Sequence, residues 1–187
     1  MDDNENKNSK ASLPPPPPPP PTSSLRPLNR FITTHTPSGL AVFEPSLPET
    51  PTAKIIENGD GFTLSYATSQ YPADFTTDLA TYRSFLTEKP PGVVVPGGTV
   101  LRVVDIRPGG ESPMHRTVSL DYGVVLDGEI ELELDSGETR VMRAGDHAVQ
   151  RGTMHRWRNT SGEGKWARML FVLTEARPVV VEETGRY

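Results

Sequence analysis

The hexapeptide Glu129-Ile-Glu-Leu-Glu-Leu134 alternates carboxylate and hydrocarbon without a break, between Asp127-Gly128 and Asp135-Ser-Gly137. Side chains of an extended strand project to opposite faces with period two, so the apolar residues share one face and the three glutamates share the other. The pattern predicts a half-buried strand closed by a turn at each end. Similar short runs continue on both sides, at 99–106, 119–126, 139–142, 147–150, 155–159 and 166–174, with Pro108-Gly109-Gly110, Ala144-Gly-Asp146 and Ser161-Gly-Glu-Gly164 among the turns between them. Twenty prolines and sixteen glycines in 187 residues disfavour long helices. Short strands at this spacing predict an all-β fold over 98–174, a sandwich or a small barrel.

Upstream of that unit the chain changes character. Residues 1–28 join a polar start to eight consecutive prolines at 14–21. Such a composition buries no core and favours extended polyproline II, so the segment is expected to be a disordered Pro-rich tail, either a spacer or a docking site for proline-binding modules. Residues 29–97 are expected to supply N-terminal strands and a short helix packing on the barrel. The expected elements are a hairpin at 30–44 around Pro37-Ser-Gly39, a strand at 62–67 and a helical segment at 77–86. Residues 175–187 read as a C-terminal tail.

Composition excludes several functions. A net charge of −5 with no basic cluster argues against nucleic acid as a partner. Without cysteine there is no disulfide framework, thiolate nucleophile or cysteine zinc site, so a metal would have to sit on His and carboxylate. The acidic N-terminus is unlike a signal peptide, and no apolar run approaches the roughly 18 residues of a membrane span. These features predict a soluble cytosolic protein with no membrane partner.

In an extended strand His115, Thr117, Ser119 and Asp121 project from one face, and His155, Trp157 and Asn159 share a face on a later strand. Two such strands meeting across a small barrel would bring His115, Asp121 and His155 together, a set suited to Fe, Mn, Ni, Zn or Cu. Trp157 would face the same cavity, as a core aromatic or as a stacking platform for an aromatic substrate. Tyr122 would lie on the opposite strand face and pack. Arg151 and Arg156 are candidates for steering an anionic substrate; His35 is read as lying on a strand face or turn with no catalytic part, and His147 as opening a strand after a Gly-Asp turn without a functional role.

The spacing also resembles a known family. The first cupin motif, G-x5-H-x-H-x3,4-E-x6-G, is matched by Gly109, His115, Thr117, Asp121 and Gly128. The second, G-x5-P-x-G-x2-H-x3-N, is matched by Gly145, Gly152, His155 and Asn159, with Gln150 in the proline position and the first gap one residue shorter. Thr117 replaces the second motif histidine and Asp121 the glutamate, so four ligands become three. The stretches 114–126 and 149–159 look like those of small single-domain fungal cupins, which resemble cupin-domain-containing oxidoreductases of polyketide (aromatic aldehyde) pathways.

That resemblance implies a single cupin barrel, of double-stranded β-helix or jelly-roll type. It also implies a pathway oxidoreductase tailoring a polyketide-derived, aromatic small molecule, with pathway partner enzymes and, as cupins usually pair barrels, a homodimer. His115, Asp121 and His155 would be the catalytic residues and would hold a divalent metal (Fe, Mn, Ni or Zn). Thr117, Ser119 and Trp157 would line the substrate pocket. Without metal the same groups suit proton transfer in a metal-independent isomerase, dehydratase or cyclase. A non-catalytic small-molecule binder is the third reading.

Overall fold

A computed structural model describes residues 23–181 and 185–186 of the chain. The proline run and most of the expected tail lie outside the described residues. The elements run β1 (Thr33–His35), β2 (Ala41–Phe43), β3 (Lys54–Ile55), β4 (Gly61–Ala67), α1 (Asp78–Thr87), β5 (Thr99–Ile106), β6 (Ser119–Asp127), β7 (Glu129–Leu134), β8 (Thr139–Arg143), β9 (His147–Arg151), β10 (His155–Asn159) and β11 (Ala167–Glu175). Strands β1 and β2 form a hairpin of their own. The others form a six-stranded sheet in the order β3-β4-β5-β11-β6-β9 and a three-stranded sheet in the order β10-β7-β8.

The two sheets close on a core of Val104, Ile106, Val125, Ile130, Met169 and Trp157. Ile130 is fully buried and Leu132 packs against this core, as the alternation in β7 requires. The glutamates of β7 are not free in water, however. Glu129 pairs with Arg143 at 3.0 Å, Glu131 with Arg158 at 2.9 Å and Glu133 with Arg156 at 2.8 Å. The antiparallel register of β7 on β10, Glu131 opposite Arg158 and Glu133 opposite Arg156, sets two of these pairs.

Strand β4 adds directly to the edge of β5 in the six-stranded sheet, so residues 61–67 extend the barrel wall. Helix α1 packs on β4, where the buried Tyr82 donates its hydroxyl to the Leu64 carbonyl at 2.9 Å. Gly128 joins β6 to β7 with a φ of +79°, and a Cβ there would lie 2.9 Å from the Ala167 Cβ. Both the left-handed backbone and the close approach require glycine.

The Asn159 side chain ties the barrel closed. It is buried, and its Nδ2 donates to the carbonyls of Ile106, Arg107 and Lys165 at 3.0, 3.0 and 2.9 Å. Asn159→Ala leaves those carbonyls short of a donor and is expected to cost about 1–3 kcal/mol. Urea denaturation checks this, and an unchanged midpoint would remove the clasp role.

Candidate functional site

The chain reaches the cavity by an irregular strand ahead of β6. Residues 110–115 run antiparallel to β10, with Ser112 N–H donating to the Trp157 carbonyl at 2.9 Å. His115 and His155 exchange both backbone hydrogen bonds, at 2.8 and 2.9 Å. Directly opposed residues put their side chains on one face, and the two imidazole rings stand 4.5 Å apart between centroids. The parity argument therefore holds across a break: His115 precedes β6, while Asp121 lies within it.

These rings open into a cavity of about 340 Å³ whose walls include Phe62, Val104, Ile106, Trp157 and Phe171. Trp157 meets His155 edge-on at 5.5 Å and Phe171 at 5.7 Å, so it belongs to the core and to the cavity wall together. A cavity of this size with apolar walls and few polar groups suits a small organic molecule.

Each imidazole has one nitrogen fixed. His115 Nδ1 is 2.8 Å from the Pro113 carbonyl and His155 Nδ1 is 2.9 Å from the Thr153 carbonyl. A carbonyl only accepts, so each Nδ1 carries its hydrogen and each neutral ring keeps the Nε2 lone pair. Burial pushes the His155 pKa down, with His115 adding to the shift and the Thr153 carbonyl opposing it. Burial pushes the Asp121 carboxyl up, against the Ser119 hydroxyl and the His115 ring. Asp121 is 6 % exposed and its Oδ1 is buried without a hydrogen-bond partner.

His115, Thr117, Asp121, His155 and Trp157 all line this one cavity. Ser119, expected in the pocket, is instead fully buried and is not among the lining residues. His115, Asp121 and His155 share the cavity wall, yet among the described residues no three His, Asp or Glu side chains are gathered to hold a metal. The physical reason lies in the replacements. Thr117 offers no imidazole, and Asp121 is one methylene shorter than glutamate.

Two cavity features escaped the sequence reading. Arg102 lines the cavity, and its place in β5 in step with Val104 and Ile106 was the available signal. Gln150 lies opposite Asp121 in the β6–β9 register, with a buried, unpartnered Nε2. Arg156, the steering candidate, is held by Glu133. Arg151 lines a separate surface pocket, and His35 and His147 are exposed.

An apolar cavity with an imidazole pair on one wall thus lies inside a two-sheet β-barrel. A family model described as "Cupin domain" matches residues 102–173. Phomopsin biosynthesis cluster protein D of Diaporthe leptostromiformis is 58 % identical over 160 residues, covering 84 % of either chain. Oryzines biosynthesis cluster protein J of Aspergillus oryzae is 45 % identical, covering 82 % of this chain and 86 % of that one. The cupin-domain-containing oxidoreductase srdD of Neurospora crassa is 37 % identical, covering 83 % and 79 %. The chain belongs to the cupin-domain family. Among the described residues, no helix is long and apolar enough to cross a membrane.

Proposed function

We propose that this cupin is a tailoring enzyme of secondary metabolism. Its substrate is a small, aromatic, polyketide-derived molecule held in the barrel cavity, and its reaction belongs to the oxidoreductase class that the srdD relative is named for. The observation that carries the reading is the pair of imidazoles, each with Nδ1 spent on a backbone carbonyl and Nε2 left for chemistry, against an aromatic wall. The names of the two biosynthesis-cluster relatives support the pathway setting.

The tautomer that the carbonyls impose on His115 and His155 is the one that metal-binding histidines use. In this respect the donor set fits a divalent ion, although its third member stands apart. His115 and His155 would hold Fe, Mn, Ni or Zn through Nε2, and a bound ion would supply Lewis-acid or redox chemistry. The chain's own groups orient the substrate and move protons. Trp157 and Phe171 stack against an aromatic ring. His155, whose pKa burial lowers, accepts a proton at Nε2 from a carbon or hydroxyl next to a carbonyl, and Asp121, whose carboxyl burial pushes up, donates one.

Those two shifts also favour a second reading, a metal-independent isomerase, dehydratase or cyclase. One experiment separates the two. Purified chain is assayed for metal by elemental analysis, and for turnover of the intermediate that accumulates when the chain is missing from its pathway, with and without chelator. Near-stoichiometric metal, lost in His155→Ala together with turnover, is the expected result for the oxidoreductase reading. Full turnover in chelator would transfer the assignment to the second reading, and no turnover under any metal supplementation would overturn both.

A further inference from the structure

Among the described residues, Arg102 is the one arginine or lysine on the cavity wall. It sits in β5 opposite Phe171 on β11, within the six-stranded sheet, whereas His155 belongs to the three-stranded sheet that faces it. Its guanidinium lies over the Phe62 ring, 5.6 Å from the centroid, and one Nη2 hydrogen goes to the Gly92 carbonyl at 2.9 Å. The Nε–H is buried with no acceptor.

No carboxylate among the described residues pairs with Arg102. Asp60 accepts from the Arg107 N–H at 3.0 Å and from Asn58 Nδ2 at 2.8 Å. Asp121 keeps an unpartnered Oδ1. Burial is also the sole cause pushing the Arg102 pKa down. A desolvated guanidinium with a spare Nε–H costs free energy unless an anion takes it, and a planar fork held by a ring beneath it matches a carboxylate.

We infer that Arg102 is the substrate anchor of the cavity, and that the molecule bound there is an aromatic carboxylate whose anionic end meets Arg102 while its ring lies along Trp157 and Phe171. This names the substrate class of the site proposed above and rests on that reading. The two sheets of such a sandwich lie about 10 Å apart, so an anion fixed on the Arg102 wall directs the far end of a single-ring molecule toward the imidazoles. The neutral walls alone would accept many apolar molecules. Arg102 turns that general affinity into selection for a charged one.

The test uses benzoate and its neutral isostere benzamide as probes, titrated into the full chain and followed by the indole resonances or fluorescence of Trp157. Wild type is expected to bind benzoate roughly 10- to 100-fold more tightly than benzamide, the range of a charge-assisted pair. Arg102→Gln should bring the two ligands to within about twofold while leaving benzamide binding unchanged. Arg102→Lys, which keeps the charge but loses the fork, should fall between them, and it serves if the glutamine variant does not fold. Equal binding of both probes by wild type, or discrimination that survives in Arg102→Gln, overturns the anchor and leaves the cavity reading standing. Failure of both probes to reach Trp157 overturns both.

Discussion

Arg168→Ala is expected to lower the unfolding free energy by about 3–5 kcal/mol, the cost of stranding one member of a buried ion pair. Arg168 Nε and Nη2 grip the two oxygens of Asp105 at 2.6 and 2.7 Å, with side chains only 8 % and 12 % exposed. The two residues face each other across β5 and β11, and Arg168 Nη1 also reaches the Arg26 carbonyl at 2.9 Å. They occupy the sheet face away from the cavity, because Val104, next to Asp105, is the one that lines it. Against a total of roughly 5–15 kcal/mol for an ordinary domain, this loss is large enough to shift the urea midpoint well outside error. Asp105→Leu with Arg168→Met removes both charges and should recover most of the loss, since apolar replacement of a complete buried pair is often neutral. A single-variant loss below 1 kcal/mol would show that water reaches the pair.

Local pattern made most of the strands legible. The expected segments at 99–106, 129–134 and 155–159 coincide with β5, β7 and β10, because their signals lie in runs of five to eight residues. The pairing register stayed hidden. Nothing local says that β10 lies on β7, so Arg156 looked available for a substrate while Glu131 and Glu133 looked bound for water. Non-local pairing joins them into ion pairs on the outer face.

The site follows the same division. Motif spacing located His115 and His155, and the reciprocal backbone bonds explain why they meet. Side-chain reach is another matter. Strand parity says which way Asp121 points, but its distance from the imidazoles depends on one methylene and on how far β6 stands from the 110–115 segment. Parity gave Ser119 the same direction, yet it is buried beside the separate pocket that Arg151 lines, because being on an inward face does not decide which cavity a residue meets. Arg102 went unread for the opposite reason. Its strand is buried on both faces, so alternation carries little information there, and only the three-dimensional wall shows a guanidinium with a buried, unpartnered Nε–H.

His155→Ala is expected to reduce kcat/KM by about 10²- to 10⁴-fold, the usual contribution of a positioned proton-transfer group, with little change in melting temperature. The stability side of this follows from the geometry. The bonds joining residues 115 and 155 are made by backbone atoms and survive truncation, and the volume removed opens onto an existing cavity instead of a packed core. His115→Ala should cost a similar factor, because its ring stands 4.5 Å away between centroids, with Nδ1 likewise held by a backbone carbonyl, and shares the same task. Two rings that act as a unit are not additive. The double variant should therefore sit close to the worse single one, far short of the product of the two losses. The readout is single-turnover kinetics on the accumulated pathway intermediate, with circular dichroism melts of all four proteins as the control for folding. Losses below tenfold in both single variants, with melts unchanged, would move the chemistry away from the imidazole pair and leave the cavity as a binding site alone.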